Sequence, residues 1–323
     1  EAQTIYADTR ATFLAPGLSH YDALKPAWDA FGFPANCCGW NDREQETFNR
    51  KLKDDWDNVS GRIVLDYTPN DDTLVYASIA NGYKSGGFNL GPVQPDGSFD
   101  EETVLSYEIG YKGTVADTLR VNAAVFFYDY DDMQVQTNTL VNGLLVEELV
   151  NAAEAEVKGL EIEATWLATE NLSFQANYSY IDGEYTDFDG QIDTIGGDGP
   201  GDEQDLSGNP LTQAPKNKVY LNAAYAILTD SMGEFILSGA YSWVEERQYD
   251  AFNTDATLAD SYYRVAAMAT WFSPSQDIRV ILSGRNLTEE ETYVSLERLN
   301  SAGALVGFPN APRTYSLEVQ YDF

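Results

Sequence analysis

Long hydrophobic runs and histidine are scarce in this chain of 323 residues. No apolar stretch approaches the roughly 18 residues that would mark a membrane-spanning helix, which excludes a helical membrane protein. The single histidine is His20, and the chain has no Gly-x-Ser-x-Gly elbow, no phosphate-binding glycine loop and no His-rich metal spacing. We therefore predict that the chain is not an enzyme, with no catalytic residue, no metal site and no cofactor.

Cysteine is limited to two adjacent residues, Cys37 and Cys38. In an oxidising compartment they could form a strained vicinal disulfide, or one of them could pair with a cysteine outside this chain. A metal site is disfavoured because only His20 could supply an imidazole ligand. The chain begins at Glu1 without a leader sequence, and we interpret it as a processed or truncated piece.

Positive charge is also scarce, with 19 Lys and Arg against 52 Asp and Glu and a net charge of −33. Nucleic acid and anionic surfaces are therefore poor partners. The acid is concentrated between Glu184 and Asp205, where eight carboxylates occur without any Lys or Arg. We predict that residues 184–205 form a long solvated loop, the role of which the sequence leaves open.

Strict alternation of apolar and polar residues is the main positive signal. The clearest example is the C-terminal segment, where the odd positions 315–323 are Tyr, Leu, Val, Tyr and Phe, and the even positions 314–322 are Thr, Ser, Glu, Gln and Asp. Such a strand, ending on an aromatic carboxyl terminus, is typical of an outer-membrane barrel with one face toward lipid and the other toward the lumen. It predicts an all-β, antiparallel transmembrane barrel.

Eleven segments alternate clearly enough to be predicted as strands. They are residues 56–67, 73–83, 103–113, 119–127, 157–166, 171–180, 219–227, 235–244, 262–272, 277–286 and 313–323. Residues 1–15 could add a twelfth strand. The segments are near the 9 to 11 residues that cross a bilayer on a tilt, whereas strands of soluble sandwiches average about 5 to 6. Strand length therefore favours the membrane barrel.

The connections alternate between short and long. Short links fall at 68–72, 114–118, 167–170, 229–233 and 273–276, and long ones at 84–102, 131–156, 182–215, 245–261 and 287–312. Bacterial outer-membrane barrels have short periplasmic turns and long extracellular loops. We therefore predict a multi-pass β-barrel in the bacterial outer membrane, with membrane lipid as one partner and aromatic girdles at both interfaces.

Several motifs in this order resemble the C-terminal half of TonB-dependent outer-membrane receptors. They are NGYKSGGFN at 81–89, FDEETVLSYEIGYK at 99–112, FFYDYDDMQV at 126–135, NAAEAEVKGLE at 151–161, LSGNPLTQAP at 206–215, GRNL at 284–287 and PRT at 312–314. The resemblance covers residues 55–323. Residues 1–54 match no motif of the family, and we predict an irregular, extracellular segment there with a possible edge strand.

The resemblance implies energy-dependent uptake of a large, scarce solute such as a siderophore, a corrinoid or an oligosaccharide. In this family the energy reaches the receptor through TonB, which acts on a segment preceding the barrel, and an N-terminal plug closes a barrel of about 22 strands. We predict that this chain is about half of such a barrel and contains no plug. The alternative is a self-contained barrel of twelve strands that acts as a channel, an adhesin or a barrel enzyme.

Three residues are candidates for solute contact. If Phe127 faces lipid, Tyr128 and Tyr130 face the lumen just below a long loop, and Arg285 faces inward by the same logic. Aromatic rings can stack on a sugar or a planar chelate, and arginine can hold a carboxylate.

The other motif residues have structural interpretations. We predict close backbone approach or a bulge at Gly110 and Gly159. Five charged residues are assigned to the lumen-facing parity, where charges on neighbouring strands can pair: Glu108, Lys112, Lys158, Glu161 and Glu163.

Overall fold

The computed structural model describes residues 40–42, 47–48, 53–89, 98–141, 144–192, 203–299 and 304–323. His20, Cys37, Cys38 and the candidate twelfth strand at 1–15 lie outside the described residues.

Eleven long strands form one antiparallel sheet, as the sequence predicts. The strands are β1 (Gly61–Asn70), β2 (Thr73–Lys84), β3 (Glu102–Val115), β4 (Leu119–Val141), β5 (Leu144–Leu167), β6 (Leu172–Asp187), β7 (Asn217–Thr229), β8 (Gly233–Val244), β9 (Tyr262–Phe272), β10 (Ile278–Arg285) and β11 (Thr314–Tyr321). Each strand pairs with the next one in sequence, so the sheet is an up-and-down meander. β1 and β11 lie at its two edges.

Short pairs of strands lie in four of the long connections, and one further pair precedes β1. The paired segments are Trp40–Asp42 with Thr47–Phe48, Gly87–Phe88 with Ser98–Phe99, Gln191–Ile192 with Glu203–Gln204, Arg247–Gln248 with Leu258–Ala259, and Tyr293–Leu299 with Ala304–Pro309. A single turn of 3-10 helix covers Asp255–Thr257. Within the described ranges, no helix has the length and apolar character needed to cross a membrane.

The register places the apolar residues of each strand beside the apolar residues of its neighbours, so that one face of the sheet is apolar. Tyr225 pairs with both Leu172 and Leu237. Ala269 of β9 lies between Leu237 and Leu282, and Leu282 pairs with Leu317, so that a row of apolar side chains crosses β6 to β11. Leu282 and Leu317 are 57% and 69% exposed. A continuous apolar face this exposed requires lipid rather than water. We call it the outer face and the opposite, more polar one the inner face.

Aromatic rings mark both ends of the apolar band on the outer face. Toward the long loops, the ring centroids of Tyr241 and Tyr263 are 6.0 Å apart. Toward the short turns, Trp166 stacks on Phe174 at 5.6 Å, and the indole N–H of Trp271 donates to a backbone carbonyl. Rings that are apolar on one side and polar on the other suit the two interfaces of a bilayer.

β4 and β5 extend well past their predicted ends. The sequence predicts a loop at 131–156, but β4 continues to Val141 and β5 begins at Leu144. The register shifts between Tyr130 and Met133, and Asp132 has a φ of 53°. Such a bulge breaks the period-2 pattern without ending the strand, which explains why the alternation appears to stop there.

A compact cluster lies at the loop end of β4 to β6. Phe188 and Leu206 are each 2% exposed and Tyr185 is 4% exposed, and they pack with Ala155 on the inner face. The solvated loop predicted at 184–205 is therefore wrong at its N-terminal end, where β6 continues to Asp187 and where Tyr185 and Phe188 are buried. At the other end, residues 203–205 are exposed, as predicted. Residues 193–202 lie outside the described residues.

Candidate functional site

The inner face of β3 to β5 is acidic, and two of its carboxylates, Glu108 and Glu163, accept hydrogen bonds from neighbouring side chains. The Tyr76 hydroxyl donates to Glu108 Oε1 over 2.6 Å, and Asn122 Nδ2 donates to Glu163 Oε2 over 3.2 Å. Lys112 Nζ lies 5.5 Å from the centre of the Tyr76 ring. We call Glu108, Glu161 and Glu163 with these neighbours the acidic sector.

Glycine allows aromatic rings to lie flat on the backbone of the acidic sector. A Cβ added to Gly159 would lie 2.1 Å from Phe126 Cζ, and one added to Gly110 would lie 2.4 Å from the Tyr76 ring. Neither glycine has a positive φ, so the requirement is space rather than backbone conformation. The prediction of close approach at Gly110 and Gly159 is confirmed.

The prediction that Lys158 faces the lumen is wrong. Lys158 pairs in register with Phe127, and its ammonium group lies 5.7 Å from the Phe127 ring on the outer face. It also forms an ion pair with Glu156 at 2.9 Å. The reason is the period of the strand, since residue 158 is an odd number of positions from Glu161 and Glu163 and therefore faces the other way.

Tyr128 and Tyr130 both lie on the inner face, but their surroundings differ. Tyr128 stacks on Phe126 with ring centroids 4.8 Å apart and an interplanar angle of 20°. Tyr130 packs against the buried cluster of Tyr185, Phe188 and Leu206. Tyr128 therefore offers a partly exposed ring surface, whereas Tyr130 supports the loops.

Arg285 is the last residue of β10 and is exposed. Five strands separate β10 from β4 in the sheet, so Arg285 does not share a local site with Tyr128 and Tyr130. No described acidic side chain forms an ion pair with Arg285. Its charge is unpaired within the part of the chain that the structure describes.

Arg285 belongs to a second group of inner-face residues, on β7 to β10. Ala267 pairs with Gly284, which places Arg285 across from Ala266, two positions along β9 from Arg264. Lys218 lies near the loop end of β7 and pairs with Val244 of β8. We call Lys218, Arg264 and Arg285, with Arg247 of the adjoining loop, the basic sector.

An aromatic ring lies between two arginines of the basic sector. The Tyr262 ring centre is 4.9 Å from the guanidinium carbon of Arg264 and 5.6 Å from that of Arg247. Arg247 Nη2 donates to the Tyr293 carbonyl over 3.2 Å, and the Tyr249 hydroxyl donates to the same carbonyl over 2.7 Å. The loops that follow β8 and β10 are therefore joined at this point.

Sequence reasoning found Arg285 but missed Arg264, Arg247 and Tyr262. Arg264 could have been found, because the short turn between two predicted strands sets which residues lie across from each other. Arg247 lies in a long connection without a period, and the sequence carries no signal for its position. Among the described residues, no group of three or more His, Cys, Asp or Glu side chains is arranged to hold a metal ion.

Comparison with known proteins identifies the family. A family model described as TonB dependent receptor-like, beta-barrel matches residues 39–287. The pesticin receptor of Yersinia enterocolitica serotype O:8 / biotype 1B is 32% identical over 141 residues, which are 43% of this chain and 20% of that receptor. The chain therefore matches about a fifth of the length of this curated relative.

Solved receptor structures have the same fold. The ferric yersiniabactin uptake receptor FyuA from Yersinia pestis superposes with a TM-score of 0.67 and 23% identity, over 82% of this chain and 37% of that one. The siderophore receptor PiuA from Acinetobacter baumannii gives a TM-score of 0.62 and 20% identity, over 80% and 35% of the two chains. At these identities the likeness establishes the fold alone.

Proposed function

Because this chain belongs to the TonB-dependent receptor β-barrel family, we propose that it is part of a receptor that takes up a large, scarce solute with energy delivered through TonB. The strands form the C-terminal part of an antiparallel barrel in the bacterial outer membrane, with short periplasmic turns and long extracellular loops. The proteins that it resembles include the pesticin receptor and a ferric yersiniabactin uptake receptor.

The family match over residues 39–287 is the observation that carries this proposal. The two faces of the sheet support it, because the outer face suits lipid and the inner face presents polar and charged groups along every strand. At the extracellular end of β4 to β9, residues of the long connections pack against one another and against the strands around Phe188 and Leu206. A packed loop layer suits selective recognition of a solute better than free diffusion through a pore.

The solute that we propose is an iron chelate of the siderophore type. The relatives named above are a ferric yersiniabactin receptor and a siderophore receptor, which supports this choice. Tyr128 is the better placed of the two tyrosine candidates, because its ring is only partly covered by Phe126. Arg285, which is exposed, is the candidate for contact with a negatively charged group of the chelate.

Uptake of radioactive iron chelates by cells that carry the native protein tests the proposal. We expect accumulation that stops when TonB is deleted or when a protonophore collapses the inner-membrane proton gradient. A strain that lacks the receptor gives the background. Uptake that continues unchanged without TonB would contradict the proposal and would favour a passive channel.

A further inference from the structure

Two neighbouring rows of outer-face residues cross β5 to β8, and each row contains two large and two small side chains. The row nearer the short turns is Trp166, Phe174, Ala223 and Gly239. The next row toward the loops is Ala164, Ala176, Leu221 and Tyr241. Large and small residues exchange places between β6 and β7, so the small ones form the floor of a diagonal groove between two banks of large ones.

The groove has the size of a ligand-binding cleft and is lined almost entirely by apolar atoms. Its part over β6 to β9 has a volume of about 430 Å³, and an adjoining hollow over β4 to β6 has about 410 Å³. Clefts that bind small molecules typically have volumes of roughly 300–1,000 Å³. A Cβ added to Gly239 would meet no atom within 4 Å, which shows that the floor is open toward the membrane.

Stacked aromatic rings support both banks of the groove. Trp166 stacks on Phe174 with ring centroids 5.6 Å apart and an interplanar angle of 25°. Tyr241 stacks on Tyr263 at 6.0 Å with an angle of 26°. Each ring of such a pair is held by its neighbour, so the rings do not turn into the groove and its shape is kept.

The groove reaches the end of the sheet that carries the short turns. Leu119 and Trp166 line the adjoining hollow there. Leu119 is the first residue of β4, and Trp166 is next to the last residue of β5. Because short turns of outer-membrane barrels face the periplasm, the groove begins at the periplasmic interface of the bilayer.

We propose that one acyl chain of a phospholipid from the periplasmic leaflet binds in this groove. The outer face lies in the outer membrane, so lipid is in direct contact with the groove. A narrow groove accepts a flexible hydrocarbon chain, whereas the convex wall of a second barrel would not reach its floor. This inference rests on the membrane location of the outer face and does not depend on the proposed uptake function.

Packing is the physical basis of the binding. In a bilayer, lipid tails and apolar side chains are equally apolar, so affinity comes from van der Waals contact rather than from the hydrophobic effect. A chain that lies between the two banks has protein atoms on three sides, whereas a chain on a flat face has them on one side. The number of favourable contacts rises accordingly, and the bound lipid exchanges more slowly than its neighbours.

Native mass spectrometry of the full protein, extracted from outer membranes in a mild detergent, tests this inference. We expect the unmodified protein to retain one phospholipid. The double variant Ala176→Leu, Gly239→Leu fills the floor of the groove. We expect the fraction of protein with a bound phospholipid to fall about fivefold or more, because the chain loses its contacts with the floor.

The matched control is Ala77→Leu on β2, which adds the same atoms to the outer face outside the groove. Ala77 pairs with Leu65 and Ile109. We expect its retained fraction to stay close to that of the unmodified protein. Gly239→Leu alone fills part of the floor and should give an intermediate fraction. It replaces the double variant in the comparison if thermal unfolding shows that the double variant does not fold.

Three results would overturn the inference: an unmodified protein that carries only detergent, equal retention of phospholipid in the groove-filling variants, or retention of lipopolysaccharide, which belongs to the other leaflet. A receptor dimer that is lost in the groove-filling variants would overturn it as well and would assign the groove to a second copy. TonB-dependent uptake should be unchanged in all of these variants. Failure of the uptake proposal would therefore leave the lipid site standing.

Discussion

The acidic and basic sectors lie on the same inner face of one sheet, but they differ in how their charges are satisfied. In the acidic sector, Glu108 accepts a hydrogen bond from Tyr76, and Glu163 accepts one from Asn122. In the basic sector, Arg285 is exposed and has no described ion-pair partner. We infer that the acidic sector contributes to the stability of the barrel and that Arg285 remains available for a ligand.

The sharpest way to break this comparison is to add a methyl group to a glycine inside the acidic sector and, as a control, to a glycine outside both sectors. In the acidic sector, Gly159→Ala places a Cβ against the Phe126 ring, and we expect a loss of about 1–3 kcal/mol in the free energy of unfolding. The matched control is Gly239→Ala on β8, where nothing lies within 4 Å of the added Cβ. Urea unfolding in detergent measures both variants; equal losses would contradict a densely packed acidic sector.

Removing one charge from each sector should give a smaller difference in the free energy of unfolding. Glu108→Gln weakens the hydrogen bond from Tyr76, and we expect a loss of about 1 kcal/mol in the free energy of unfolding. A double-mutant cycle with Tyr76→Phe assigns that loss to the pair. If the two single variants were strictly additive, the bond would contribute nothing and the acidic sector would not differ from its surroundings.

Arg285→Gln should leave stability almost unchanged. Its side chain is exposed and has no described ion pair, so we expect a change within about 0.5 kcal/mol in the free energy of unfolding. The same urea titration measures it beside Glu108→Gln. A loss greater than that of Glu108→Gln would reverse the comparison, because the basic sector would then be the structural one.

The smallest effect concerns the acid in the turn between β9 and β10. Hydrogen bonds from Ser275 and Ser273 lower the pKa of Asp277 below its usual value. A carboxyl group with a lowered pKa stabilises the fold above its unfolded-state pKa, and this contribution is lost as pH falls through the folded-state value. We expect Asp277→Asn to flatten the decline in stability below about pH 4. Parallel pH profiles of both proteins would contradict this role.

The number and order of the strands could be predicted because alternation is a local property. Each predicted strand overlaps one strand of the sheet, and the short turns then dictate the register. The ends of β4 and β5 could not be predicted, since the bulge near Asp132 interrupts the pattern inside a continuous strand. Burial of Phe188 and Leu206 was also missed, because loops have no period from which a buried side can be assigned.

The candidate site could be predicted only in part, because alternation within a strand shows which way a residue faces but not which loop residues pack against it. The parity of Tyr128 and Arg285 follows from their own strands, and the structure places both on the inner face. Tyr130 is partly buried because Tyr185 and Phe188 pack near it, and both of these residues are distant from Tyr130 in the sequence. The arginines grouped with Arg285 come from another strand and from a loop, so their positions relative to Arg285 follow from the register of the folded sheet.

Spin-label accessibility along β10 is the most direct test of the account. Cysteines placed singly at residues 280–285 of the native protein, in a background with Cys37 and Cys38 replaced, would carry the label in lipid vesicles. We predict that labels at Val280 and Leu282 are relaxed mainly by oxygen dissolved in the bilayer, and that labels at Ile281, Ser283 and Arg285 are relaxed mainly by a water-soluble nickel chelate. Labels that show no alternation, or a water-accessible Leu282, would contradict both the barrel assignment and the inward position of the basic sector.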